Sequence, residues 1–226
     1  MDEQSWFASD FFYDLLTTRQ TRDDRKRRLI CCAIGRTVLR LLPVPEPWES
    51  AVEFCEGWAD GDFDRSRWMG IRRSLNKLAG ELKLKHQIEA AQTIRNVTEK
   101  EYMSFKMAHE SARSALCAEG RANASDEDDP WDEISSATER DHLMLAREVY
   151  GNPFSAIEIE AKVLAWKNGS VQQIANGIYE SGDFASLGVL GDVLTEAGCT
   201  HDEVISHCYS DGHVRGCWVI DLIRSC

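Results

Sequence analysis

Apolar residues along this chain recur at spacings of three and four. No run of alternating β-branched residues bounded by turns is long enough to build a sheet. In RDDRKRRLICCAIGRTVLRLLP, Leu29, Cys32, Ala33, Val38, Leu39 and Leu42 give a helical stripe, and Pro43 ends it. Trp68, Ile71, Leu75, Leu78 and Leu82 repeat the pattern in a single amphipathic helix drawn from Asp64 through DRSRWMGIRRSLNKLAGELKLKHQIEAAQTIRN, with a basic outer face. The expected fold is all-α: an irregular multi-helix bundle of about 8–10 helices in two packed layers or subdomains.

Punctuation residues divide the chain further. Ser9 or Asp10 opens a short helix over 9–18, and Thr21 opens the next, with Asp23 and Asp24 in its first turn. Pro47 and Gly61 bracket a third helix. Thr98 with Glu101 forms a capping box for a helix that stops at Gly120, with His109 beside its apolar stripe. RANASDEDDP reads as an exposed acidic linker over 121–130. Pro130 starts another helix, and Gly151-Asn152-Pro153 stops it. Shorter helices follow over SVQQIANGIYES, FASLGVLGDVLTEAG, DEVISHC and CWVIDLIRS. The organisation expected is an N-terminal helical part over 1–120 with a basic middle, the linker, and an acidic helical part over 131–226.

The formal net charge is −12, and residues 122–226 hold six basic against nineteen acidic side chains. Such a surface repels nucleic acid and anionic membrane. The first residues are acidic where an export signal is basic, and no apolar run approaches the roughly 20 residues that cross a bilayer. The expectation is a cytoplasmic protein whose cysteines are free thiols. The cluster RQTRDDRKRR reads as a solvated helix turn with Asp23–Arg27 and Asp24–Arg28 pairs. His86, His109 and His142 read as isolated on their helices. No phosphate-binding loop, dinucleotide fingerprint, H-E-x-x-H or G-x-S-x-G motif occurs.

Chemistry concentrates in residues 199–226, which hold four of the eight cysteines and three of the six histidines. Thiolates and imidazoles are zinc ligands, so Cys199, His207, Cys208, His213 and Cys217 form a candidate metal set. Only His213-x₃-Cys217 has conventional ligand spacing. A nucleophile reading pairs Cys217 or Cys208 with His213 or His207 and makes Asp221 or Asp211 the orienting acid; Cys217 is best placed, because it precedes a helix whose N-terminus lowers a thiol pKa. A third reading packs Cys208 and Cys217 in the core and leaves no cofactor. The segment His213–Trp218 then acts as an architectural latch, with Trp218, Val219 and Leu222 anchoring the last helix and Arg215 reaching Asp221, Asp192 or Asp202.

The C-terminal stretch REVYGNPF, GIYESGDFASLGVLGDVLTEAGC, VISHC and HVRGCWVIDLI, with RDDRKRRLICCAIGRTVLRLL near the start, resembles a family of planctomycete-type bacterial proteins. The likeness covers roughly residues 10–62 and 143–224. That family carries no established activity, so the resemblance implies kinship and no mechanism. Its members stand beside repeat or signalling domains, which implies an interaction role by analogy. The function expected is therefore non-enzymatic: an accessory or regulatory helical protein of a bacterial system that contacts a protein partner, with Arg25, Arg28, Arg72, Arg73 and Arg215 as contact residues. The alternative is a metal-binding or cysteine-dependent enzyme with its site in residues 199–217.

Overall fold

A computed structural model describes residues 1–99, 104–124 and 129–225. Every regular element among them is helical, and none is a strand. Thirteen α-helices are present among the described residues, more than expected, because several are short or split. None is long and apolar enough to cross a membrane. The chain forms two compact units, Met1–Ala146 and Arg147–Cys226. Their division falls within the helix Trp131–Tyr150; of the linker expected over 121–130, residues 125–128 lie outside the described residues.

In the first unit, α1 (Glu3–Ala8) is capped by Asp2, whose Oδ1 accepts the Ser5 N–H at 2.8 Å. It buries Trp6. α2 (Phe12–Leu16) is shorter than the expected 9–18 helix and has no side-chain cap. α3 (Asp24–Val38) is capped by Asp23, which accepts the Lys26 N–H at 2.8 Å. It buries Leu29, Ile30, Cys31, Cys32, Ile34 and Val38, with the paired cysteines acting as small apolar side chains. α4 (Glu46–Ala59) packs on α3, and Arg36 grips Glu56 through Nε at 2.8 Å and Nη2 at 2.9 Å.

The long helix drawn from Asp64 is two helices. α5 (Arg65–Ala79) ends at Gly80, and α6 (Lys85–Val97) turns back to bury Ala90, Ala91, Ile94 and Val97 against α3, α4 and α7 (Ser104–Asn123). A continuous helix would carry the second apolar stripe away from that core. Thr98 closes α6 by donating its hydroxyl to the Arg95 carbonyl at 2.8 Å; Glu101, its expected capping partner, lies outside the described residues.

Gly120 does not stop α7, which continues to Asn123. A Cβ there would fall 2.1 Å from Ile134 Cδ1, so the glycine allows close approach of α8 (Trp131–Tyr150). The basic cluster is used internally. Arg27 is buried and donates to the Leu16 carbonyl at 2.9 Å, Arg28 lies 3.4 Å over the Trp58 ring, and Arg25 meets Asp60 at 3.0 Å. Arg72 forks onto Glu99 at 2.7 and 2.5 Å, and Arg73 is exposed. Four of the five arginines expected to meet a partner lie in this unit, and three of those are held by their own chain.

The second unit begins with the last turn of α8. Its helices are α9 (Ala161–Leu164), α10 (Ser170–Ser181), α11 (Leu187–Glu196), α12 (Asp202–Cys208) and α13 (Trp218–Arg224). Val163, Val171, Ala175, Leu187, Leu190, Leu194, Val204, Val219, Ile220 and Ile223 make its core. This core seats the elements that carry the C-terminal histidines and Cys217.

Candidate metal centre

Four side chains converge in the second unit. Glu148 sits on the last turn of α8 and His207 on the last turn of α12. His213 lies in the loop that follows, and Cys217 is the N-cap of α13. The loop turns sharply after α12, where Ser210 donates both its N–H (3.0 Å) and its hydroxyl (2.7 Å) to the His207 carbonyl. A second turn, Cys217 N–H to the Val214 carbonyl at 3.0 Å, places the cysteine at the head of α13. One donor atom from each of Glu148, His207, His213 and Cys217 lies within 4.8 Å of all the others.

The two carboxylate oxygens of Glu148 face different rings. Oε2 is 3.2 Å from His207 Nε2, and Oε1 is 3.1 Å from His213 Nδ1. His207 Nε2 also lies 3.3 Å from the Cys217 sulfur. Backbone N–H groups of Ile220 and Val219 reach that sulfur from the first turn of α13. Burial raises the Glu148 pKa, but its hydrogen bonds with His207 and His213 outweigh burial and hold the carboxyl below the usual range. Burial pushes the Cys217 thiol well above its ordinary value, and the Glu148 charge adds to this. With no cation present the thiol is therefore protonated. A bound cation reverses that preference, because ligation holds the thiolate.

Two walls hold the rings. His207 stands 5.1 Å from the Trp218 ring and 5.0 Å from His213. Trp218 is half-buried and rests on Gly151, so the latch segment expected from the sequence forms one side of the site. Val219 is buried as expected, while Leu222 is partly buried and Ile220 and Ile223 complete the anchor.

Of the five residues in the candidate metal set, His207, His213 and Cys217 come together. Cys199 and Cys208 do not join them and pack in the apolar core, where burial pushes the Cys208 thiol up to about 12. Of the pairings in the nucleophile reading, the structure brings together Cys217 and His207, and Glu148 holds the imidazoles in place of Asp221 or Asp211. Asp221 donates its N–H to the Cys217 carbonyl, and its carboxylate is outside the group. Cys217 is 0% exposed. Arg215 lies 4.2 Å over the Tyr179 ring, and Asp192 accepts from the Tyr209 hydroxyl at 2.7 Å.

Glu148 was missed. It sits beside the Gly-Asn-Pro stop signal, and its one-turn offset from Gly151 was the only local sign that α8 ends at a site. Comparison of the chain with protein-family models, with curated proteins and with solved structures returns no match.

Proposed function

We propose that the second unit binds one divalent transition-metal ion through Glu148, His207, His213 and Cys217, and that the ion staples α8, α12 and α13. The convergence of four ligand side chains within 4.8 Å carries this reading. Its donor set of carboxylate, two imidazoles and a thiolate suits zinc. A tetrahedron with nitrogen and oxygen bonds of about 2.0–2.1 Å has edges of about 3.3 Å. The 3.2 Å between Glu148 Oε2 and His207 Nε2 supports that size, while the 3.1 Å contact of His213 Nδ1 is with the other carboxylate oxygen, Oε1. Charge balance supports a dication as well: Glu148 and Cys217 as anions with two neutral imidazoles leave the buried site neutral. Four protein ligands leave no position for a reacting group, as in structural rather than catalytic zinc sites. The role supported is architectural and non-enzymatic, with the stapled helices presenting a surface to a protein partner.

Metal analysis of the purified chain tests this directly. After loading with zinc and exhaustive dialysis, about one equivalent per chain is expected. Cys217→Ser and His207→Ala should lose it, while Cys208→Ser should keep it. Failure of the intact chain to retain zinc, or retention by Cys217→Ser and His207→Ala alike, overturns the reading.

A further inference from the structure

The first unit holds a cleft of about 740 Å³ between the α2 region, α7 and α8. That volume suits a small organic ligand. Its α7 wall presents Lys106, His109, Glu110 and Arg113 at helical spacing, and its α8 wall presents Glu139 and Arg140. Phe11 and Tyr13 stand at its edge, 65% and 40% exposed, and the Tyr13 ring stacks on Phe105 at 6.3 Å.

The cleft is built on a buried polar chain. Glu139 Oε1 accepts the Phe12 N–H at 2.7 Å, and Oε2 meets His109 Nε2 at 3.0 Å. His109 Nδ1 meets His142 Nδ1 at 2.7 Å, and the Phe12 ring stacks on His109 at 4.7 Å. His142 Nε2 ends the chain, buried and without a hydrogen-bond partner among the described residues. These contacts anchor Phe12, the residue between the two edge aromatics, so binding need not order its backbone.

Charges in the cleft are unequally committed. Of its carboxylates, Glu139 accepts from the Phe12 N–H and meets the His109 imidazole, and Glu110 is held by Arg113 Nη2 at 2.6 Å. Asp10 remains at the edge. Among the cations, Lys106 lies 5.0 Å from the Tyr13 ring, and Arg140 is exposed with no ion pair among the described residues. Two cations outside any ion pair thus share the lining with two partly exposed aromatic rings, and with Asp10 and Glu139 as the carboxylates that no arginine or lysine holds among the described residues.

From this juxtaposition we infer that the cleft binds a small aromatic anion, its ring against Phe11 and Tyr13 and its carboxylate or phosphate between Lys106 and Arg140. Aromatic faces accept a flat ring regardless of its substituents, and exposed cations select for charge. The inference stands apart from the metal proposal, since the two sets of residues belong to different compact units.

Calorimetric titration of the full chain with naphthoate, with the uncharged naphthamide and with inorganic phosphate tests both halves. Naphthoate should saturate at one site, and naphthamide and phosphate should each bind at least about tenfold more weakly. The double variant K106Q/R140Q should lose about tenfold for naphthoate with an unchanged thermal midpoint, because both side chains reach solvent. Tyr13→Ala should weaken naphthoate and leave phosphate unaffected. Naphthamide binding as well as naphthoate removes the anion requirement, and phosphate binding as well removes the aromatic one. Absence of saturable naphthoate binding, or wild-type affinity in K106Q/R140Q, overturns the inference outright.

Discussion

Gly151 lies flat against the indole of Trp218: a Cβ at Gly151 would sit 2.8 Å from Cγ of that ring and 2.9 Å from Cδ2. Its φ of +61° also lies in the left-handed region that favours glycine. One residue therefore ends α8 just after Glu148 and makes room for the tryptophan just after Cys217.

Gly151→Ala should destabilise the second unit by about 2–4 kcal/mol, combining backbone strain with overpacking. Trp218→Ala, which empties a half-buried site, should cost about 3 kcal/mol. The double variant should lose less than the sum, since removing the indole relieves the clash. Urea unfolding of the four proteins checks this, and strictly additive losses would show that the two residues are not coupled.

Glu148→Gln preserves shape but removes the charge that faces both imidazoles. Zinc affinity should fall at least about 10–100-fold, as judged by competition with a chromophoric chelator. Cys208→Ser should leave affinity unchanged, because its sulfur packs in the core. Wild-type affinity in Glu148→Gln would remove the glutamate from the ligand set.

Chelation should lower stability where the ion staples helices. Treating zinc-loaded protein with EDTA should reduce its thermal midpoint, and added zinc should restore it. Cys217→Ser should start at the lower midpoint and respond to neither. An equal response in Cys217→Ser would place the stabilising ion elsewhere.

Burial pushes the His142 pKa down to about 3 from an ordinary 6.5, and His109 beside it is also lowered by burial. Between those values the unfolded chain binds more protons than the folded one, so this contribution is intact above 6.5 and is lost as pH falls. From pH 7 to pH 5 the loss at His142 should be about 2 kcal/mol. His142→Gln, neutral throughout, should show a shallower decline in urea midpoint over that range. An identical slope in the variant would free His142 of this role.

The helical class of the protein was legible from the sequence because apolar periodicity is local: each stripe needs only neighbours three and four residues away. The Asp64 cap and the Gly151 stop were legible for the same reason, as was the His213-x₃-Cys217 pair, whereas Asp23 is the cap of a helix expected to open at Thr21. What turns back on itself was not. The stripe through Trp68 and Leu82 continues in period past Gly80, yet two helices form because Ala90, Ala91, Ile94 and Val97 must reach a different part of the core. His109 and His142 each read as isolated, and only the packing of α7 on α8 brings their nitrogens to 2.7 Å. Glu148 likewise has no sequence neighbour among the residues it joins. Its carboxylate reaches His207 and His213 because α8, α12 and the head of α13 share one apolar core. Local periodicity determined the helices, and burial of their faces against distant segments decided which polar atoms meet.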